Sequence, residues 1–187
     1  MPRWTNPVLR VFHGTDSHMV AAGGLLTGAA LPFAVNLALC RPFTDFGQGF
    51  YTTTRLHQAK QWANTRVLRA SPVPGLQAVV IRFDLDRDWL AGLDTLAFVR
   101  TTADFWNLVN DCRHGFPPHQ RPPPHPTPYD VVYGPVTLWP QTLVVGNCDQ
   151  VSFHTQRAAA GLGSAFLEDI APYLFYVPIR LAQEKPL

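Results

Sequence analysis

The chain has 187 residues, a net charge of +2, 47% hydrophobic residues and 15% charged residues. This length predicts one domain over 1–187, and the composition argues against a disordered chain or a coiled coil. The charge is too small to indicate a nucleic-acid-binding surface by itself. The cysteines at Cys40, Cys112 and Cys148 have neither disulfide-framework nor zinc-site spacing, which favours a reducing compartment.

The N-terminal quarter predicts a strand and then a buried apolar segment. "PVLRVFHG", residues 7–14, alternates apolar and polar positions and predicts a strand that ends at Gly14. No secretory signal pattern precedes it, so the expected location is the cytoplasm, or a target cell reached without a classical signal peptide. Residues 19–40 are apolar, but glycines and Pro32 interrupt them, which predicts buried helix and loop rather than a membrane span.

The middle of the chain predicts two strands and two helices. "GFYTTT", residues 49–54, predicts a short strand whose Thr54 caps a following helix. That helix would pack through one face and carry Trp62 at the border of the face, which consists of Leu56, Ala59, Ala63 and Val67. "GLQAVVIRFDL", 75–85, predicts a strand, and "TADFWNLVNDC", 102–112, predicts an amphipathic helix.

The last third begins with a proline-rich segment, "HGFPPHQRPPPHPTP" at about 114–128, which predicts a surface insert. Its histidines lack ligand spacing, so no metal site is predicted. "YDVVYGPV", 129–136, predicts a strand, and "TLVVGNCDQVSFHT", 142–155, predicts strand, turn and strand. Residues 156–169 predict an interrupted helix, and 174–181 predict an edge strand. Short strands with helices between them indicate an α+β fold.

Four motifs in this order resemble known enzymes. "FHGT" and "FGQGFY" are similar to the His-Gly-Ser/Thr and Phe-Gly-Lys-Gly-Ile-Tyr segments of poly(ADP-ribose) polymerase-like ADP-ribosyltransferases. "DFGQGFY", "YDVVYGPV" and "DQVSFHT" most closely resemble a bacterial family catalogued as a domain of unknown function. The resemblance covers residues 12–155 except the proline-rich insert. It implies an ADP-ribosyltransferase-like split β-sheet core, with two packed antiparallel sheets and flanking helices.

The resemblance also implies an NAD+ pocket, with NAD+ as co-substrate and a catalytic triad of His13, Tyr51 and Gln150. NAD+ loses nicotinamide through a cation-like ribose, so such an enzyme must fix both riboses and stabilise developing positive charge. His13 and Thr15 carry groups suited to hydrogen-bond the adenosine ribose. Gln150 would bond a hydroxyl of the nicotinamide ribose.

Backbone and aromatic groups would hold the nicotinamide. Gly14 is the candidate whose backbone N–H and C=O pair with the carboxamide, because no Cβ obstructs it. Tyr51 would stack on the ring and Trp62 would close the other side, with Phe50 beside them. Each residue also has a structural explanation, as a core aromatic or as a glycine in a tight turn.

Gln150 departs from the polymerising relatives, which carry glutamate there. A neutral amide can orient a hydroxyl but cannot act as a carboxylate base. Alternation along a strand places Ser152 and His154 on the face of Gln150, as further binding candidates, and places Asp149 on the opposite face. This departure favours transfer of a single ADP-ribose, or weak or absent turnover.

Three functions therefore stay open. The first is a bacterial mono-ADP-ribosyltransferase, a toxin or effector with a macromolecular acceptor, protein or nucleic acid, and a cognate antitoxin or immunity protein, without membrane association. The second is a non-catalytic module that binds NAD+, ADP-ribose or a protein. The third is a related enzyme that removes 2′-phosphate from RNA, which Arg10 and Arg66 support only ambiguously. Trp139 is either an acceptor contact or a packing residue.

Overall fold

Two β-sheets that share a core form the centre of the molecule. The computed structural model describes residues 6–22, 35–70, 73–116, 128–162, 165–170 and 181–182. The first sheet has the antiparallel order β1-β3-β7, with β1 at Leu9–Asp16, β3 at Ala78–Leu85 and β7 at Ala165–Ile170. The α+β class and the presence of two sheets are therefore confirmed.

The second sheet has the order β2-β6-β5-β4. Its strands are β2 at Phe50–Thr52, β4 at Thr95–Ala97, β5 at Val131–Thr137 and β6 at Val144–Phe153. A short β8, Leu181–Ala182, also pairs with β6. Only β4 and β5 run parallel among the described pairs of this sheet, and the other pairs are antiparallel, so the second sheet is mixed and not fully antiparallel as expected.

Two of the described helices cover the outer faces of the two sheets, and the others contribute to the central core. The described helices are α1 at Ser17–Ala22, α2 at Leu56–Arg69, α3 at Arg87–Ala91, α4 at Ala103–His114 and α5 at Gln156–Ala160, with a 3₁₀ turn at Leu37–Leu39. Ala59 and Ala63 of α2 pack on Phe12 and Val80 of the first sheet, which confirms the predicted apolar face of this helix.

The central core lies between the inner faces of the sheets. The first sheet contributes the buried residues Val11, Ile81 and Phe83, and the second contributes Val131, Val151 and Phe153. Burying a side chain of this size stabilises the fold by about 1.5–3 kcal/mol. On the outer face of the second sheet, α4 packs Phe105 and Val109 against Val132 and Val144. The two sheets are thus held face to face between two helical layers.

Gly14 is required by the packing of α2 on β1. A Cβ at this position would lie 2.1 Å from the carbonyl oxygen of Ala59 and 2.9 Å from the backbone nitrogen of Ala63. Both contacts are with helix backbone, which cannot rotate away as a side chain can. The glycine therefore lets the helix lie directly on the strand.

The start of α2 differs from the sequence prediction. The helix is capped at Arg55, not Thr54, and Arg55 makes no side-chain capping bond. The backbone N–H of Thr54 donates to the Asp149 carboxylate at 2.8 Å, and the Thr53 hydroxyl accepts from the Arg55 N–H at 3.1 Å. Asp149, 95 positions away in the sequence, also accepts from the Thr54 hydroxyl, so Thr54 is bonded to β6 instead of capping the helix, and local patterns cannot show this.

Two further predictions were wrong. Residues 144–153 form one continuous strand instead of strand, turn and strand, because Asn147 adopts a left-handed φ of 58° and accommodates a bulge within β6. The register between β5 and β6 shifts in this part of the ladder. Residues 165–170 form β7 instead of helix, because they pair with the edge of β3. Tertiary pairing overrides helix propensity here.

Some predictions lie outside the described residues. These are most of the proline-rich insert, at 117–127, most of the predicted last strand, at 174–180, and the centre of the apolar segment, at 23–34. Within the described ranges, no helix is long and apolar enough to cross a membrane. All three cysteines are free, and Cys112 is buried.

Candidate functional site

The described pairing between β1 and β2 stops after one bridge, and the unpaired stretch beyond it is called the gap. The two strands form a single antiparallel bridge, in which the N–H of Phe12 donates to the Thr53 carbonyl at 2.7 Å and the N–H of Thr53 donates to the Phe12 carbonyl at 2.9 Å. Continuing the antiparallel register would place Gly14 opposite Tyr51. By the two-residue alternation of such ladders, the N–H and C=O of Gly14 face the same side as those of Phe12, toward β2.

The His13 ring fills the first part of this gap. Its Nδ1 lies 2.7 Å from the carbonyl oxygen of Tyr51, and the ring stacks on Phe50 with a centroid distance of 4.4 Å. A carbonyl only accepts hydrogen bonds, so Nδ1 carries the proton and donates. The Tyr51 carbonyl is therefore bonded by a side chain, instead of by the Gly14 N–H that a regular ladder would provide.

The electrostatic environment keeps His13 neutral. Burial lowers the pKa of His13 to about 4, with the positive charge of Arg66 acting in the same direction, against the opposing hydrogen bond to Tyr51 and the charge of Asp16. At neutral pH the Nε2 atom therefore keeps its lone pair. It can accept a hydrogen bond from a hydroxyl group but cannot donate a proton.

Tyr51 is a fixed aromatic surface. Its hydroxyl accepts from the Phe46 N–H at 2.9 Å and from the Thr44 hydroxyl at 2.7 Å, and donates to the Gly47 carbonyl at 2.8 Å. Burial raises the pKa of the Tyr51 phenol, so this group stays protonated. The half-buried ring packs against Phe46 and, edge-on, against His154.

The two glycines of the "DFGQGFY" motif have separate structural causes. Gly47 has a φ of 80° and completes the turn that wraps the Tyr51 hydroxyl. Gly49 lies under His154, because a Cβ there would be 2.6 Å from the His154 Nδ1 atom. Gly47 thus forms the turn that bonds the Tyr51 hydroxyl, and Gly49 leaves room for the His154 ring to pack next to Tyr51.

Gln150 belongs to a buried polar network that includes a carboxylate. Its Nε2 donates to Asp45 Oδ2 at 2.7 Å and to the carbonyl oxygen of Pro135 at 2.9 Å. Asp45 is 3% exposed and also pairs with Arg113. Both N–H groups of the amide are used, and no donor within the described ranges bonds Oε1. Gln150 therefore presents an acceptor.

His154 is held from both sides of its ring. Nδ1 lies 2.9 Å from the Gln48 carbonyl, and Nε2 lies 2.8 Å from the Ser152 hydroxyl, which is fully buried and also contacts the Val132 carbonyl. His154, Gln48 and residues of the 3₁₀ turn line a small open cavity of about 250 Å³. Ser152 therefore positions His154 within this region.

Asp149 lies on the opposite face of β6 from Gln150, as alternation predicted. Its carboxylate accepts from Thr53 and Thr54, and its backbone pairs with the Gln58 side chain at 2.7 and 3.0 Å. These bonds join β6 to the start of α2. Asp149 is thus a structural residue and lies outside the Gln150 network.

The remaining predicted site residues differ in access. Thr15 and Phe50 are buried, so Thr15 offers little surface to a ligand, and Phe50 supports the His13 ring from the core. Trp62 is 55% exposed on α2. Trp139 is half-buried and packs with the outer cluster of the second sheet, edge-on to His114. In the part of the chain that the structure describes, no group of three His, Cys, Asp or Glu side chains could hold a metal ion.

Sequence reasoning missed Asp45. It is the first residue of "DFGQGFY", and 105 positions separate it from Gln150. An acidic residue inside an otherwise aromatic and glycine-rich motif is the signal that could have identified it, since a buried carboxylate needs partners. Those partners come from three distant segments and cannot be deduced from local sequence.

Comparison with known proteins adds a family. A family profile described as "Protein of unknown function (DUF3990)" matches residues 33–138, more than half of the chain. The chain belongs to this family. The DUF3990 match includes Asp45, Tyr51 and Trp62, whereas His13 and Gln150 lie outside it. No curated protein and no solved structure matches the chain.

Proposed function

We propose that this DUF3990 protein is an NAD+-dependent mono-ADP-ribosyltransferase that cleaves the nicotinamide–ribose bond and transfers ADP-ribose to a macromolecule. The observation that carries the proposal is the gap between β1 and β2, where the antiparallel register places the backbone of Gly14 opposite that of Tyr51, whose hydroxyl is fixed by hydrogen bonds. On this proposal, the two packed sheets, separated at this point, correspond to the split core of ADP-ribosyltransferases.

The groups around the gap match the parts of NAD+. The carboxamide of nicotinamide has one acceptor and one donor group, which the Gly14 N–H and C=O complement. The Tyr51 ring offers a flat surface for the pyridinium, and exposed Trp62 on α2 provides a second aromatic surface. Holding the ring in one orientation supplies much of the rate acceleration in reactions of this type.

Two side-chain atoms could accept hydrogen bonds from the ribose hydroxyls of NAD+. The neutral His13 offers Nε2, and Gln150 offers Oε1. As the C1′–N bond breaks, nicotinamide leaves with the bonding electron pair, and the ribose develops positive charge. A nucleophile of the acceptor then forms a bond to C1′ and loses its proton. Because acceptors near the ribose interact favourably with that charge, they stabilise the transition state more than the ground state.

A bacterial toxin or effector role is part of the proposal and rests on the sequence resemblance. It implies a macromolecular acceptor and a cognate antitoxin or immunity protein. The acceptor class is testable by incubating the purified chain with cell lysate and labelled NAD+. Label that is removed by protease identifies a protein acceptor, and label that is removed by nuclease identifies a nucleic acid.

A non-catalytic NAD+- or ADP-ribose-binding module is the second candidate. The observation that favours it is the neutral Gln150. Its amide cannot accept a proton as a carboxylate would, and both of its N–H groups already donate hydrogen bonds within the protein. A module of this kind would bind NAD+ saturably without releasing nicotinamide. Removal of 2′-phosphate from RNA is not favoured, because Arg10 pairs with Asp84 and Arg66 pairs with Asp16.

Nicotinamide release from NAD+ tests the proposal, with and without lysate. We expect the native chain to release nicotinamide and Tyr51→Ala to lose about 100-fold or more in rate, because the ring that orients nicotinamide is gone. Tyr133→Ala is the matched control, since it removes a half-buried tyrosine from β5, outside the gap. Native protein that neither binds NAD+ nor releases nicotinamide would overturn the proposal, and binding without release would establish the second candidate.

A further inference from the structure

Asp45 is a buried carboxylate directly behind Gln150. It accepts hydrogen bonds from Arg113 Nε at 3.0 Å, from the Thr137 N–H at 2.9 Å, from the Thr137 hydroxyl at 2.6 Å and from Gln150 Nε2 at 2.7 Å. These donors come from α4, β5 and β6. The network therefore fixes Asp45, and through it the side chain of Gln150.

The network admits only one orientation of the Gln150 amide. In the opposite orientation, Oε1 would face the Asp45 carboxylate and the Pro135 carbonyl, and three acceptors would meet without a hydrogen between them. The NH2 group must therefore point to Asp45, and Oε1 must point away from it. A hydrogen bond from an amide N–H to a carboxylate also polarises the amide, which makes its oxygen a stronger acceptor.

We propose that Asp45 is a positioning residue for the transfer reaction, because it orients and polarises Gln150 so that Oε1 accepts from the nicotinamide ribose. This inference rests on the proposed function. It assigns the negative charge of the site to Asp45, while Gln150 stays neutral and conveys that charge to the developing cation through its amide dipole. On this inference, a glutamine at position 150 takes part in the reaction, and the negative charge of Asp45 compensates for its neutrality.

A second buried carboxylate provides a matched control. Asp130 is 7% exposed and accepts from the Asp94 N–H at 3.0 Å and from the Thr155 hydroxyl, with Arg157 Nη1 at 3.7 Å. Asp45 has the same three kinds of partner and, in addition, Gln150. Substituting either aspartate by asparagine therefore removes a similar buried charge, but only one substitution affects the Gln150 amide.

The test compares steady-state nicotinamide release by the native chain, Asp45→Asn and Asp130→Asn. We expect Asp45→Asn to lower kcat by about 10- to 100-fold with KM for NAD+ changed by less than about twofold, since the lost interaction acts in the transition state. Asp130→Asn should keep both constants within about twofold of native. Equal kcat in all three chains would overturn the inference while the proposed function stood, and so would a change in KM alone.

If Asp45→Asn does not fold, Gln150→Glu provides a second test of the contact between Asp45 and residue 150. Two carboxyl groups in contact share one proton, so the introduced carboxyl group would be protonated at low pH and would then resemble the native amide. Above the apparent pKa of the pair, the two carboxylates repel and the introduced side chain loses the position that Asp45 gives to the native amide. We therefore expect kcat of Gln150→Glu to fall about tenfold per pH unit there, a limb that the native profile lacks. Identical profiles would overturn the inference. A native chain inactive toward NAD+ would instead refute the proposed function, and the inference with it.

Discussion

The two edges of β1 differ sharply in how they are paired. Along one edge, eight consecutive residue pairs join β1 to β3, from Leu9 with Leu85 to Asp16 with Ala78. Along the other edge, one bridge between Phe12 and Thr53 joins it to β2. The paired edge contributes stability through a continuous ladder, whereas at the open edge the proposed function assigns the backbone groups of Gly14 to NAD+. Changes along the paired edge of β1, or on its face under α2, should therefore affect folding. Changes at the gap should affect ligand binding.

The largest effect on stability should come from Gly14, whose Cα faces helix α2 while its backbone N–H and C=O face the gap. We expect Gly14→Ala to lower the free energy of unfolding by about 3 kcal/mol or more, because its methyl group would collide with the backbone of α2. Urea unfolding followed by circular dichroism measures this. Gly92→Ala is the control: Gly92 has a φ of −80°, and a Cβ there would lie no closer than 3.3 Å to any atom, so a change within about 0.5 kcal/mol is expected. Native-like stability of Gly14→Ala would contradict the α2–β1 contact.

A smaller effect should come from His13, which links the two sides of the gap. Because its pKa is about 4 in the folded chain and about 6.5 in the unfolded chain, the unfolded chain binds more protons between these values. Stability should therefore be complete above about pH 6.5 and fall by about 2–3 kcal/mol as the pH drops toward 4.

Denaturant titrations at about pH 4 to 8 test the His13 prediction against His13→Gln. Glutamine can still donate to the Tyr51 carbonyl but does not titrate, so its stability should depend less on pH in this window. The same pH dependence in both chains would show that other groups cause the loss. Arg66 is close enough to disfavour the charged imidazole, and Asp16 opposes it, so both must be kept in the comparison.

The smallest effect on stability is expected at the exposed Trp62 of α2. Since it is 55% exposed, Trp62→Ala should change the free energy of unfolding by less than about 0.5 kcal/mol. We expect NAD+ affinity to fall about tenfold, because one aromatic stacking surface is worth about 1.4 kcal/mol. Leu68→Ala on the same helix, at 60% exposure, is the control for calorimetric titration. Unchanged affinity of Trp62→Ala would remove this residue from the proposed site.

Local pattern predicted the elements whose own sequence determines them. Alternation at residues 7–14 predicted β1, although the strand continues past Gly14 to Asp16, and residues 75–85 were predicted as the strand that is β3. The helical periodicity of Leu56, Ala59 and Ala63 predicted the buried face of α2. The bulge at Asn147 was mistaken for a turn, because a single left-handed residue has the same sequence signal in both settings. Strand β7 was missed because its conformation comes from pairing with β3, which no local window contains.

The candidate site was predicted in part for the same reason. The motifs identified His13, Tyr51 and Gln150, and the structure places His13 in direct contact with Tyr51. Their partners could not be predicted, because the bond between Asp45 and Gln150 joins β6 to a turn 105 residues earlier. Sequence also could not distinguish buried Thr15 from its neighbours along the same strand, although burial decides which of them can touch a ligand.

The His13 ring has a consequence for the entropy of ligand binding. In a regular ladder a backbone hydrogen bond would draw Gly14 and Tyr51 together, but here an imidazole stands between the strands, bonded to one and carried by the other. The separation of the strands is therefore set by the size of a rigid ring and by one hydrogen bond. On the proposed function, NAD+ would meet strands whose separation is already fixed, so little of its interaction energy would be spent on conformational ordering.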